Sequence, residues 1–163
     1  MKNKFYVTTP IYYATAAPHL GSLYSTLLAD VAAKWNMLNG KETFFLTGTD
    51  EHGQKIEAAA KAAGKKPKEF VDGFIDAYKN VWHDYQIDYT KFIRTTDKEH
   101  VKAVQKWISQ LLEKGDIYKG KYEGMYCTPC ETFVTDLKQE DTECPSCTRS
   151  CVLVSEEAYF FKL

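Results

Sequence analysis

The chain has 163 residues, of which 44% are hydrophobic and 26% charged, with only nine glycines and five prolines. This composition fits a globular protein of one domain, or of a domain with a small appendage, and it excludes a disordered or fibrous chain. Lys and Arg number 21 against 22 Asp and Glu, so no overall basic field attracts nucleic acid, and any RNA contact would have to be local.

The amino terminus shows no targeting pattern. Met1–Lys4 lead directly into Phe5, Tyr6 and Val7, without an apolar signal core or an Arg- and Ser-rich presequence. No apolar run approaches the roughly 20 residues that span a bilayer. We therefore expect a cytoplasmic protein without a membrane role.

A strand–helix–strand unit is predicted over residues 4–47. Residues 5–9 form a short aromatic and β-branched run that ends at Pro10, which is typical of a buried parallel strand. Apolar residues then recur at helical spacing over residues 20–38. Residues 43–47 make a second compact strand, so the segment is a βαβ unit.

The remaining elements continue this α/β pattern and then change character. Helices are predicted over residues 54–63, 70–82 and 101–112, and residues 89–93 are expected to be extended. From Ile117 onward the sequence becomes rich in β-formers, turn residues and cysteines. This last segment is predicted to be a β-rich metal module.

The loop after the first strand, residues 10–22, is a candidate ligand site. In an open α/β sheet, ligands bind where such loops leave the strands, and the amino terminus of the following helix favours an anion such as phosphate. His19 and Ser22 are three residues apart and can face one side of the first helical turn. The alternative is that His19 only caps the helix and Ser22 is a solvated surface residue.

Four of the five cysteines form two C-x-x-C pairs, Cys127/Cys130 and Cys144/Cys147, with 13 residues between the pairs. Two such turns supply the tetrahedral four-thiolate shell of a structural zinc ion. A redox-active pair and thiols that simply pack are the alternatives. A redox site needs only one pair, so the pattern favours one Zn²⁺ per chain, with Cys151 as a small apolar residue or spare thiol.

Several motifs resemble those of the class I aminoacyl-tRNA synthetases. Residues 19–22, His-Leu-Gly-Ser, are similar to the HIGH motif of that class, and residues 9–13 and 47–54 resemble the methionyl-tRNA synthetase family in particular. Further similar segments run to residues 157–161, so the resemblance covers the whole chain.

The resemblance implies an α/β fold with a Rossmann-like (HUP-type) parallel sheet, of which only the first half is present. Residues 1–114 would form this half of the catalytic domain. Residues 115–163 would form an inserted connective-peptide domain that carries the zinc knuckle.

The resemblance also implies which residues bind ATP, the substrate that arrives with Mg²⁺. His19 and Ser22 would be catalytic, with His19 stabilising charge on the phosphates, and Ser22 stands where the motif more often has a second histidine. The implied ATP-binding set is Pro18, His19, Gly21 and Ser22.

A methionine site is implied on neighbouring residues. Ile11 and Tyr13 would line an apolar pocket for the thioether, and Asp50 would hold the substrate ammonium. Without the resemblance, residues 50–52 would also fit a solvated turn or helix cap, and His52 has no assigned role.

The function implied is that of a methionine–tRNA ligase, which makes methionyl-adenylate from methionine and ATP and charges tRNA(Met). The Lys-rich KMSKS loop and the anticodon-binding domain of that family have no counterpart before Leu163, so the chain is expected to be an amino-terminal part. The second hypothesis is a non-catalytic zinc-stabilised fragment or RNA-accessory module.

We therefore expect residues 1–163 alone neither to exchange pyrophosphate into ATP with methionine nor to charge tRNA, because half of the ATP-binding machinery is missing. Methionine-dependent exchange of labelled pyrophosphate measures this. Robust exchange by this polypeptide would contradict the expectation.

Overall fold

A computed structural model describes residues 3–134 and 142–162. The chain divides into two compact units, Met1–Val104 and Gln105–Leu163. The boundary expected between residues 114 and 115 stays a prediction. Within the described ranges, no helix is both long and apolar enough to cross a membrane.

The first unit has the α/β order that the sequence predicts. Its elements are β1 (Lys4–Thr8), β2 (Tyr12–Tyr13), α1 (Leu20–Leu38), β3 (Glu42–Asp50), α2 (Gln54–Ala62), α3 (Pro67–Asp84) and β4 (Lys91–Arg94), and α4 (Lys98–Lys114) begins in this unit and ends in the second. The βαβ unit is confirmed. The short strand β2 is new, because two residues are too few to give a periodic signal.

The sheet of the first unit is entirely parallel, with β3 at its centre. Leu46 pairs with Thr8 on one edge of β3 and with Lys91 on the other. Further along, Thr49 pairs with Tyr12 and Arg94. A strand has only two edges, so β1 and β2 lie on one edge of β3, one after the other, and β4 lies on the opposite edge.

Helices α1 and α3 cover one face of this sheet. Phe45 on β3 packs in a buried cluster with Leu23 of α1 and with Tyr78 and Trp82 of α3. Tyr12 of β2 joins the cluster, since its hydroxyl shares hydrogen bonds of 2.8 Å with Ser25 and Thr26 and its ring stacks on Tyr78. The aromatic side chains of α3 therefore anchor the strand that leads into the candidate site.

The side of α1 that packs inward differs from its most apolar stripe. Leu20, Val31 and Trp35 are exposed, whereas the buried positions carry mostly small or polar side chains: Ser22, Leu23, Thr26, Ala29, Asp30 and Ala33. Small side chains let the helix backbone approach the sheet closely. The helix is confirmed, but its periodicity alone does not show which side is buried.

Glycine at position 48 allows β4 to pair tightly with β3. A Cβ atom at Gly48 would lie only 1.9 Å from the carbonyl oxygen of Ile93, its register partner. No side chain fits at that distance. The close pairing brings Arg94, the last residue of β4, beside the end of β3.

The second unit contains an antiparallel sheet with the order β6–β5–β7. These strands are β5 (Ile117–Cys127), β6 (Thr132–Val134) and β7 (Val152–Phe161). A small buried cluster lies at one end of β5 and is formed by Met125, Cys127, Cys144 and Cys151. The β-rich character predicted for this segment is confirmed.

Candidate functional site

Two residues singled out from the sequence, Tyr13 and Asp50, lie at the carboxyl ends of the parallel strands, where Arg94 joins them. Tyr13 ends β2, Asp50 ends β3 and Arg94 ends β4, and α1 begins just after the loop that follows β2. In open α/β sheets this edge is where ligands bind, because the connections leave a crevice there. The geometry thus fits the expected location of the site.

His19 is the N-cap residue of α1. Its Nδ1 atom accepts hydrogen bonds from the backbone amides of Gly21, at 3.0 Å, and Ser22, at 3.4 Å. A neutral imidazole that accepts at Nδ1 carries its proton on Nε2. The exposed ring therefore caps the helix with one nitrogen and keeps the other as a donor, so the two interpretations of His19 do not exclude each other.

Gly21 makes the capping geometry of His19 possible. A Cβ atom at Gly21 would lie 2.9 Å from the Cε1 atom of His19. That spacing is too short for a side chain, so a larger residue would displace the imidazole ring.

Ser22 differs from His19 in access to solvent. Its exposed fraction is 2%, and its carbonyl oxygen accepts a 2.8 Å hydrogen bond from the Thr26 hydroxyl on the buried side of α1. Pro18 is half-buried and Gly21 is exposed. The structure therefore does not place His19 and Ser22 together on one exposed surface, and a role of Ser22 in ATP binding stays a prediction.

Tyr13 and Asp50 are brought together by the sheet. They are register partners on the neighbouring strands β2 and β3, and register partners project from the same face of a sheet. The Ala14 amide donates to the Asp50 carbonyl oxygen at 3.1 Å, which holds the two strand ends together. Tyr13 and Ile11 are both partly exposed at this edge.

The Asp50 side chain is half-buried, and none of the described residues forms a hydrogen bond or ion pair with its carboxylate. A carboxylate at a strand end without a protein partner is available to a ligand. A ligand with a cationic group fits it best.

The neighbouring residue Glu51 has the opposite environment. Its side chain is 0% exposed, and it accepts hydrogen bonds from Thr49 Oγ1, at 2.7 Å, and from the hydroxyl of Thr96. Arg94 donates to both carboxylate oxygens, at 2.6 Å from Nε and 3.0 Å from Nη2. The Glu51 amide also donates to Thr95 Oγ1 at 2.9 Å. Glu51 thus ties the end of β3 to the segment after β4.

Arg94 contacts a second carboxylate on its outer side. Its Nη2 atom lies 2.5 Å from Asp72 Oδ1 on α3, and Asp72 also pairs with Lys68. Burial acts to lower the pKa of Arg94, but the hydrogen bonds to Glu51 and Asp72 outweigh it and raise the pKa above its usual value. The guanidinium is therefore permanently charged and doubly paired.

No role for Arg94 follows from the sequence, and Glu51 is expected there only as part of a solvated turn or helix cap. One signal was present, because Arg94 follows Phe92 and Ile93 at the end of a short, partly buried strand, where a charge favours a partner. The partner itself lies 43 residues away. His52 is exposed, and its Nε2 atom lies 3.4 Å from the Thr95 carbonyl oxygen.

The four predicted zinc ligands converge in the second unit. The Sγ atoms of Cys127, Cys130, Cys144 and Cys147 all lie within 4.8 Å of one another, with 3.5 Å between Cys127 and Cys147 and 4.0 Å between Cys130 and Cys144. Four thiolates at about 2.3 Å from zinc would stand about 3.8 Å apart. The donor set therefore fits a tetrahedral zinc ion, and Cys151 stands outside it.

The thiols of this cluster influence one another's acidity because they lie close together. Backbone amides, that of Ser146 first, lower the pKa of Cys144 to about 6. The hydrogen bond with Cys147 is the main cause that raises the pKa of Cys130 to about 12. Without a cation, one thiolate in the cluster opposes ionisation of its neighbours, whereas a bound metal ion favours all four thiolates.

Comparisons with known proteins agree with this arrangement. The family model for tRNA synthetases class I (M) matches residues 5–153. The methionine–tRNA ligase of Clostridium tetani is 52% identical over 162 residues, and that of Caldanaerobacter subterraneus is 52% identical over 163 residues. The matches cover 99% and 100% of this chain. The chain spans about a quarter of the length of these relatives, 25% and 26% respectively.

A solved structure shows the same fold. The crystal structure of Mycobacterium tuberculosis methionyl-tRNA synthetase bound by methionyl-adenylate superposes with a TM-score of 0.88 at 32% identity, covering 99% of this chain and 32% of that one. The family match, the sequence identity and the fold lead to one assignment. The chain belongs to the class I tRNA synthetases of the methionyl family.

Proposed function

We propose that this chain is the part of a methionine–tRNA ligase that binds methionine and the ATP phosphates. In the complete cytoplasmic enzyme, methionine and Mg²⁺-bound ATP would give methionyl-adenylate, and the methionyl group would then pass to tRNA(Met). The observation that carries the proposal is the register pairing of Tyr13 with Asp50 at the carboxyl edge of the sheet. Support comes from the M. tuberculosis relative, which binds methionyl-adenylate.

Asp50 is proposed to hold the methionine ammonium. Its carboxylate has no partner among the residues described, so a substrate cation satisfies it without displacing a protein group. Tyr13 on the same face, together with Ile11, would contact the thioether side chain. Because a thioether is only a weak acceptor, an apolar surface with one fixed carboxylate is a suitable recognition site.

His19 and the start of α1 are proposed to bind the ATP phosphates. A methionine carboxylate oxygen forms a bond to the α-phosphorus, the bond from that phosphorus to the bridging oxygen breaks, and pyrophosphate leaves with the electron pair. Negative charge on the phosphates is stabilised by the His19 Nε2 proton and by the helix amino terminus. Pro18 and Gly21 flank the phosphates, and Ser22 is proposed as a further ATP contact.

The four cysteines are proposed to hold one structural Zn²⁺. Cys127, Cys130, Cys144 and Cys147 fill all four positions of a tetrahedral shell, which leaves none for a catalytic water. The ion would join the turn after β5 to the segment before β7 and so stabilise the second unit.

Replacing His19 by Asn separates the capping role from the phosphate role. Asn caps helices as well as any residue, so the free energy of unfolding of residues 1–163 should change by less than about 0.5 kcal/mol. Without Nε2, methionine-dependent pyrophosphate exchange by the full-length ligase should fall about 100-fold. His83→Asn is the control, because the His83 side chain is 90% exposed. A fully active His19→Asn variant would mean that His19 is only a cap.

Replacing Asp50 by Ala removes the proposed ammonium ligand. In the full-length ligase the KM for methionine should rise tenfold or more, about 1.5–3 kcal/mol, while the KM for ATP stays constant. Asp84→Ala is the control, since the Asp84 side chain is 73% exposed at the end of α3. Unchanged methionine affinity in Asp50→Ala would remove the assigned role.

Zinc content tests the metal site directly. Elemental analysis of residues 1–163 should find about one zinc per chain, and Cys127→Ser or Cys144→Ser should lose it, because three thiolates no longer close the shell. Cys151→Ala should keep the zinc. A zinc-free sample with unchanged folding would refute the site.

A further inference from the structure

We infer that Glu51 and Arg94 are positioning residues for methionine. Their buried ion pair holds the peptide that follows Asp50, so that the Asp50 carboxylate faces the substrate and not the Arg94 guanidinium. This inference rests on the proposed role of Asp50 as the ammonium ligand. It assigns a function to the Glu51 carboxylate, which accepts four side-chain hydrogen bonds at the carboxyl edge of the sheet.

The alternation of side chains at the end of β3 separates two neighbouring carboxylates. Thr49 and Glu51 hydrogen-bond to each other at 2.7 Å, so they project to one side of the strand, and Asp50 between them projects to the other. Arg94 is the register partner of Thr49 and therefore lies on the side of Glu51. The guanidinium and the Asp50 carboxylate are thus on opposite faces of the sheet.

The charges around Arg94 are balanced without Asp50. Arg94 donates a hydrogen bond to each carboxylate oxygen of Glu51 and a further one to Asp72 of α3. If Glu51 lost its charge, the half-exposed Asp72 would be the one charged partner left to Arg94 among the residues that the structure describes. A largely buried cation that loses its partner is strongly unfavourable, so Arg94 and the peptide around Glu51 would shift to restore its hydrogen bonds, and the peptide that follows Asp50 would no longer be held in place.

The turn after Glu51 also packs against the other proposed methionine contact. Gly53 has a positive φ of 117°, and a Cβ atom there would lie 2.9 Å from the Tyr13 hydroxyl oxygen. The peptide between Glu51 and Gly53 therefore links the buried ion pair to Tyr13. A shift of Glu51 would move Asp50 and the surface beside Tyr13 together.

Kinetics of the full-length ligase test the inference. Glu51→Gln keeps the shape of the side chain but removes its charge, and the KM for methionine should rise about tenfold, with kcat and the KM for ATP within about twofold of wild type. Glu99→Gln is the matched control, because Glu99 is 87% exposed and its ion-pair partner among the described residues is Lys91, at 3.3 Å. A merely structural role would lower the amount of active enzyme, measured by active-site titration, without changing either KM.

A milder variant covers the case in which Glu51→Gln does not fold. Thr96→Val removes one donor to Glu51 and keeps the volume, so the KM for methionine should rise about threefold while folding is retained. Arg94→Lys should give an intermediate increase, since a lysine cannot make the two-point contact.

Amide hydrogen exchange on residues 1–163 gives a readout that does not depend on activity. Residues 48–54 should exchange about tenfold faster in Thr96→Val or Glu51→Gln than in wild type or Glu99→Gln, with the rest of the first unit unchanged. If Asp50→Ala leaves the methionine KM unchanged, the proposed function fails on its own. If Asp50→Ala raises the KM but Thr96→Val and Glu51→Gln fold and change neither KM nor exchange, the positioning role is overturned.

Discussion

The buried ion pair between Glu51 and Arg94 is the constraint on which the candidate site depends. It joins the end of β3 to the end of β4, two segments 43 residues apart, and excludes solvent from the Glu51 carboxylate. A buried ion pair is favourable only when its remaining polar atoms are hydrogen-bonded, and here the hydroxyls of Thr49 and Thr96 donate to the Glu51 carboxylate. The strand ends are therefore held rigidly, which is a condition for recognising a small substrate.

The ion pair between Glu51 and Arg94 lies on one face of the sheet, and the Asp50 carboxylate lies on the other. At the end of β3, the Glu51 carboxylate is fully hydrogen-bonded, whereas the neighbouring Asp50 carboxylate has no protein partner among the described residues. This division follows from strand alternation, since consecutive side chains point in opposite directions. It explains how one short acidic segment can serve both the fold and a ligand.

The second unit uses a different means of stabilisation. Its three antiparallel strands bury few side chains, and its compact cluster consists of Met125 with three cysteines. A small β-unit with so little apolar core gains stability from a metal or from cross-links. The convergence of four thiols within 4.8 Å is consistent with that need.

The sequence by itself determined what depends on local spacing: the βαβ unit, the helices, the paired cysteines and the resemblance that led to the family. Only the tertiary structure decided that Ser22 is buried while His19 is exposed, that the small-residue side of α1 packs inward, and that Glu51 pairs with Arg94. Helical periodicity and C-x-x-C spacing reflect contacts within a few residues of each other. Burial and ion pairing depend on residues that lie far apart along the chain and meet only in the folded sheet.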